Sequence, residues 1–333
     1  MATYKGIQGY SVQVLASDPS PTASVTGQLW YNSTSGTYKI STQTTGAWSA
    51  GGLLNTYREE GGGAGIQSAG ICAGGLQGPT ISPRYRDETE IYDGTTWTEV
   101  NDLNTGRATP DGAGSTTAAL WFGGGAPGAT SPPANTESWN GTAWTAVSGL
   151  ATARRDASGW GTQALASCAG GVPTRTNYEE WNGSAWSAAT AFNTGRSHLT
   201  GVGTQTAGLI FGGNQTPLPT QSDLTEIWNG STWTEVNDLT TARQFGAGSG
   251  ITTAAVYFGG TTGSNSALTE LYDGTSWTEV GDMGLARRAL CGATGAPSGV
   301  SMAYGGFATS YPQANQTEEW NDPVIAIKTV TTS

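Results

Sequence analysis

The sequence predicts an all-β protein, a six-bladed β-propeller closed by an N-terminal strand and preceded by a β-hairpin extension. Three observations predict it. A phrase of about 40–50 residues recurs six times, the size of a propeller blade. Each copy holds short apolar or small-residue runs bounded by turn dipeptides, which read as strands. The sixth copy is divided between the two ends of the chain. It begins with Gly305-Gly306 and Glu318-Glu319-Trp320 and stops at Asn321-Asp322, while its missing half stands near the start, from Gly46-Ala47-Trp48 to Leu54-Asn55-Thr56-Tyr57-Arg58. A ring closed by the N-terminal segment explains that division; an open row of repeats does not.

The elements of one repeat follow in order. After an Arg that recurs in register comes a small-residue strand, as at 244–248, and a Thr/Gly turn. A short apolar run then ends at a Gly-Gly pair, as in Ala254-Ala255-Val256-Tyr257-Phe258-Gly259-Gly260, and reads as a fully buried strand. Its counterparts are Ile71-Cys72-Ala73, Leu120-Trp121-Phe122, Ser167-Cys168-Ala169, Leu209-Ile210-Phe211 and Met302-Ala303-Tyr304. The third strand carries Thr-Glu-Ile-Trp or a variant. Asn-Gly or Asp-Gly follows at once, predicting a tight hairpin with both central residues at positive φ. The fourth strand carries a second Trp five residues after the first aromatic: Tyr92/Trp97, Trp139/Trp144, Trp181/Trp186, Trp228/Trp233 and Tyr272/Trp277, with Trp48 expected to complete the sheet of Trp320. Such rings turn toward neighbouring blades, and burying each stabilises by a few kcal/mol. A single blade cannot cover both its faces, so neighbours are obligatory.

Six of the 14 basic residues, Arg58, Arg107, Arg154, Arg196, Arg243 and Arg287, occupy one repeat position, which marks them as structural. The repeated Glu90, Glu137, Glu179, Glu226, Glu270 and Glu318 are expected to pair with them or to hydrogen-bond backbone between blades. The Gly-Gly pair suits a place where backbones crowd and no side chain fits. Gly-Gly, then Glu-x-Tyr/Trp, then a Trp a few residues on resembles the kelch repeat, over residues 46–322. The resemblance implies a kelch-type propeller of four-stranded blades. The WD repeat matches poorly: its Gly-His and Trp-Asp signatures are missing, and His198 is the only histidine. Asp93-Gly94-Thr95-Thr96-Trp97 resembles the Asp-box of sialidases, which has one more residue between Asp and Gly.

Composition narrows the function. A net charge of −11 with only 14 Lys and Arg argues against nucleic acid, whose phosphates need clustered cations. No run of about 18 apolar residues occurs, and Met1-Ala2-Thr3-Tyr4-Lys5-Gly6 has no apolar signal core, so no membrane insertion is expected. Cys72 and Cys168 fall at matching positions in different repeats and Cys291 follows Arg287; equivalent sites in different blades should not meet, which predicts three free, buried thiols. Asn140, Asn182 and Asn229 head Asn-x-Thr/Ser triplets that belong to the turn chemistry.

Catalysis finds little support. One histidine cannot build the usual serine triads or zinc sites, nor the copper site with two histidines and a Tyr–Cys crosslink of kelch-type galactose oxidases. His198 reads as an ordinary packed or rim residue. Paired carboxylates make glycosidases, but here the acids either recur at one repeat position or fall in loop clusters such as Glu99/Asp102, Glu235/Asp238 and Glu279/Asp282. The Gly-Gly pairs end buried strands and open no phosphate-binding helix. The expectation is therefore no catalytic residue, no metal and no cofactor. What varies is the segment between Gly-Gly and Glu, which equivalent blades present on one face. Arg84, Tyr85, Arg86, Arg175, Asn214, Gln215 and Tyr311 are the candidate binding residues there. A binding surface and the drift of an unconstrained surface both account for that variation.

Residues 1–45 lie outside the blades and 323–333 form a C-terminal tail. Asp18-Pro19-Ser20-Pro21 reads as a linker or turn, and 27–40 as a hairpin around Ser33-Thr34-Ser35-Gly36. The stretch Leu29-Trp30-Tyr31-Asn32-Ser33-Thr34-Ser35-Gly36 resembles segments of tail and fibre proteins of tailed bacteriophages. With the kelch-like repeats behind it, the chain is similar to kelch-like virion proteins of marine phages. That resemblance implies a non-enzymatic virion structural protein, tail- or fibre-associated, made in the host cytoplasm. Residues 1–45 would bind other virion proteins, and the loop face a host surface glycan, a receptor or a neighbouring subunit. A carbohydrate-binding or capsid-decorating module is the alternative, and a glycan-active enzyme the third.

Overall fold

Six sheets of one design account for most of the chain. The computed structural model describes residues 12–20, 27–43, 46–77, 84–127, 130–215, 220–309, 315–322 and 325–330, and among these there are strands but no helix. Two compact units are present: 47–321, and 1–46 with 322–333.

In the larger unit the first sheet runs Gly62–Ile66, Ala69–Ala73, Thr89–Tyr92, Trp97–Val100. The second runs Asp111–Ser115, Ala118–Phe122, Thr136–Trp139, Trp144–Val147, and the third Ser158–Gly161, Ala166–Ala169, Tyr178–Trp181, Trp186–Ala188. The fourth is Thr200–Thr204, Ala207–Phe211, Thr225–Trp228, Trp233–Val236, and the fifth Gln244–Ile251, Ala254–Thr261, Thr269–Tyr272, Trp277–Glu279. The sixth takes Cys291–Gly292, Val300–Tyr304 and Thr317–Asn321 from the end of the unit and Ala47–Ala50 from its start, with Trp48 opposite Trp320. All six are antiparallel, as hairpin connections require. A short three-stranded ribbon, Arg196–Ser197, Asn214–Gln215 and Thr220–Gln221, stands beside the fourth.

The paired aromatics lie directly opposite each other across the third and fourth strands, as with Tyr92 and Trp97 or Trp139 and Trp144. The turn between them differs from the expected one. Only the glycine is left-handed (Gly94, φ 92°), and the loop is four residues long, Asp93 to Thr96. Asp93 Oδ1 accepts the N–H groups of Thr95 and Thr96, both at 2.8 Å, so the acidic side chain closes the turn.

Each hydrophobic cluster is shared by two sheets. Trp121, Trp139 and Trp144 of the second pack with Ile71 and Ala73 of the first, Tyr92 and Trp97 of the first with Met302 and Tyr304 of the sixth, and Trp48 against Phe258 of the fifth. Contacts between first strands pair sheet one with two, two with three, three with four, four with five, five with six, and six with one. The fourth-strand indoles stitch the same neighbours together. Trp97 donates to Thr317, Trp144 to Thr89, Trp186 to Thr136, Trp277 to Thr225 and Trp48 to Thr269, at 2.8–3.1 Å. In each case the acceptor is the Thr that precedes the repeated Glu. The third sheet has Tyr178 at that place, and Trp233 turns to the backbone carbonyl of Thr190 instead.

The repeated Arg and Glu form six ion pairs with both partners buried. Arg58–Glu90 measures 2.7 Å, Arg154–Glu179 2.5 Å, Arg196–Glu226 2.9 Å, Arg243–Glu270 2.8 Å and Arg287–Glu318 3.0 Å; Arg107 pairs with Glu137. The arginine lies in the connection entering a sheet and the glutamate on that sheet's third strand. Nη1 of each arginine also points at two backbone carbonyls, for Arg243 those of Gly259 (2.9 Å) and Leu268 (2.7 Å). Each glutamate accepts an N–H from the connection before the arginine, as from Asn193 to Glu226 at 2.8 Å. Charges taken out of water need such partners, and the clamp supplies them at Nη1 and Nη2, while among the described residues the buried Nε of Arg58, Arg154, Arg243 and Arg287 has none. The Gly-Gly pair fits around this clamp: both residues are left-handed, and a Cβ on Gly75 would lie 2.7 Å from the carbonyl oxygen of Glu59.

All three cysteines are free and buried, but two of them meet. Cys72 Sγ lies 4.0 Å from Cys291 Sγ. The expected separation holds for equivalent positions; Cys291 sits on a first strand and Cys72 on a second, so adjacent sheets bring them face to face.

In the smaller unit, Gln13–Leu15, Leu29–Asn32, Thr37–Gln43 and Ile325–Thr329 form one sheet in that order. The hairpin expected at 27–40 is its centre. The C-terminal segment is not a separate tail: its strand pairs with the hairpin, Lys39 opposite Thr329. Asp18 Oδ1 accepts from Trp30 Nε1 (3.1 Å) and Asn32 Nδ2 (2.6 Å), tying the segment after Gln13–Leu15 to the hairpin. Among the described residues no helix is long and apolar enough to cross a membrane.

Candidate functional site

Two residues beyond each buried arginine stand Glu60, Thr109, Asp156, His198, Phe245 and Ala289, and all six are left-handed, with φ between 47° and 60°. A non-glycine residue in that region costs about 1–2 kcal/mol, and the surrounding structure must over-determine it. Here the hydrogen bonds do so. Thr109 N donates to Glu60 O (2.8 Å), His198 N to Asp156 O (2.8 Å), Phe245 N to His198 O (3.2 Å), Ala289 N to Phe245 O (2.8 Å) and Glu60 N to Ala289 O (2.8 Å). The backbones are thereby linked from repeat to repeat, and their six different side chains line one cavity of about 100 Å³.

Chemistry concentrates at this place. His198 Nε2 lies 3.4 Å from Asp156 Oδ1, and its ring rests on Phe245 with centroids 3.8 Å apart. Burial penalises the Asp156 carboxylate, yet the hydrogen bond and charge of His198, with Arg155 beside it, hold its pKa below the ordinary value. Glu60 behaves oppositely. Burial pushes its carboxyl up to about 7, the charges of Glu59 and Asp156 add to this, and His198 and Arg84 offset part of it. Deeper in the cavity Asp111 accepts the N–H groups of Gly112 and Gly159, each at 2.7 Å; burial still drives it to about 7. Two carboxyls of this mouth therefore change charge near neutrality. No group of three or more His, Cys, Asp or Glu among the described residues is arranged to hold a metal ion.

A wider cavity of about 530 Å³ adjoins it, sharing Glu60, Phe245 and Ala289 and adding Glu59, Arg84, Gln244, Arg288 and Phe307. The candidate loop residues divide around it. Arg84 is exposed and lines this cavity. Tyr85 bridges to Leu76, and Arg86 is half-buried and ion-paired with Glu88, so both hold the loop in place. Arg175 Nη1 donates to the carbonyl and side-chain oxygens of Asn214 (2.9 and 3.1 Å), and Asn214 Nδ2 donates to Gln244 Oε1 (2.9 Å). Gln215 donates to Ser222 Oγ (3.0 Å). Tyr311 lies outside the described residues.

His198 is a rim residue of the cavity, one of the two places expected for it, and occupies the left-handed position between Arg196–Ser197 and Thr200–Thr204. Glu60 and Asp156 were not among the residues the sequence singled out, and His198 was read only as packed or rim. One signal was there to find them: the position two beyond the constant Arg holds a different residue in every copy.

No protein-family model and no curated protein matches this chain.

Proposed function

We propose that residues 46–322 form a closed six-bladed propeller of the kelch type, and that the chain is a non-enzymatic binding component of a tailed-bacteriophage particle, at its tail or a fibre. The reading is carried by one contrast: a constant clamp of Arg, Glu and Gly-Gly presents a position whose side chain differs in all six repeats. A rigid frame with variable side chains at one mouth is the construction of a binding surface. The first-strand contacts running from sheet one to six and back to one support closure, as do the indole bonds of Trp48 and Trp97. Placement in a particle is supported by the likeness of 29–36 to phage tail and fibre segments, with the smaller unit as the attachment piece.

Mass spectrometry of purified particles is the test. The chain is expected at fixed copy number, and a variant lacking 1–40 and 325–333 is expected to fold but to be missing from particles. Particles without the intact chain would sink the virion role, and turnover of a bound glycan would sink the non-enzymatic reading.

A further inference from the structure

Resting on that binding role, we infer that the cavity lined by Glu59, Glu60, Arg84, Gln244, Phe245 and Arg288 binds an uncharged saccharide. Its volume, about 530 Å³, falls inside the range of roughly 300–1,000 Å³ found for small-molecule sites. Charge decides the ligand class. Two carboxyl and two guanidinium groups face the same space, so an anion or a cation would meet one repulsive pair for each attractive one. Hydrogen-bonding capacity points the same way. Arginines only donate and an ionised carboxylate only accepts, while the partly protonated carboxyl of Glu60 can do either. Gln244 Oε1 already accepts from Asn214 Nδ2 (2.9 Å), and its amide N–H groups add donors. A hydroxyl donates and accepts at once, so a polyol satisfies both kinds of partner, whereas a simple ion satisfies one. Phe245 supplies an apolar wall for the C–H face of a sugar ring, and the His198 imidazole braces it from within the adjoining cavity. The left-handed backbone holds Glu60 and Phe245 in place before any ligand arrives, which lowers the ordering cost of binding.

The test uses the full chain in titration calorimetry against three panels: neutral oligosaccharides (maltotriose, laminaritriose, galactobiose), sulfated and sialylated ones, and chitosan trimers. At least one neutral sugar is expected to bind, with affinity changing less than about threefold between 50 and 500 mM salt. Arg84→Ala and Gln244→Ala should each weaken it about tenfold. Glu60→Gln keeps an acceptor and should stay within about threefold; a cationic ligand would instead lose its partner. Binding confined to charged panels, a steep salt dependence, or no binding by any neutral sugar overturns the inference. The same variants are followed into particles: normal incorporation with no neutral-sugar binding removes the saccharide site and leaves the virion role, whereas sugar binding by a chain that never enters particles does the reverse.

Discussion

At the buried arginine the six repeats agree in residue, partner and geometry; two positions later they agree only in a backbone angle. The difference shows where each position draws its constraint. An arginine whose guanidinium is out of water must find a carboxylate and two carbonyls in the same places every time, because any lapse leaves a buried charge. The left-handed position is held by main-chain hydrogen bonds, which place no demand on the side chain. Glu60, Asp156, His198 and Phe245 are therefore free to differ, and differing is what lets them make a site.

The comparison can be broken first at the clamp. Glu226→Ala strands Arg196 in the interior and should cost about 3–5 kcal/mol in urea unfolding; a loss below about 1 kcal/mol would show the clamp to be ornamental. Next comes the indole stitching. Thr89→Val leaves the Trp144 N–H without its partner and should cost about 1–3 kcal/mol, while Thr190→Val, where Trp233 uses a backbone carbonyl, should cost far less. Equal losses would remove the distinction.

The mouth should answer to pH rather than to truncation. Glu60 and Asp111 have folded pKa values near 7, above their unfolded ones, so between about 4 and 7 the native state binds more protons than the unfolded chain. Stability should fall as pH rises through that window, giving a lower thermal midpoint at pH 8 than at pH 5, and Glu60→Gln should shrink the difference. Asp156 is depressed, so its contribution is present above its ordinary value and lost only as pH drops below it, outside that window. A flat profile from pH 5 to 8 would contradict the assignment. Smallest, and opposite in sign to the clamp variants, is Thr109→Gly. Relieving a β-branched residue at φ 47° should stabilise by up to about 1 kcal/mol, read from the shift in urea midpoint.

Much of the repeat was legible. The spacing of Trp139 and Trp144 located a hairpin, the orphan Trp48 found Trp320, and the matched Arg and Glu found each other. The errors have a common source. Asn-Gly and Asp-Gly suggested a two-residue turn because the dipeptide alone does not reveal that Asp93 will accept two N–H groups across a four-residue loop. The three thiols are free and buried as expected, but repeat equivalence compares like positions and did not reveal that facing sheets bring the unlike Cys72 and Cys291 together. The C-terminal strand carries no repeat, so its partner Thr37–Gln43 could not be read from periodicity.

By itself the sequence determined what local chemistry and recurrence can specify: strands, turns, buried rings, and which positions must stay constant. Which side chains share a cavity was decided only in three dimensions. Glu60, Asp156, His198 and Phe245 come from separate repeats, scores of residues apart, and a left-handed backbone angle common to all four delivers them to one mouth. Periodicity records what each repeat does alike, and this site is made from what they do differently.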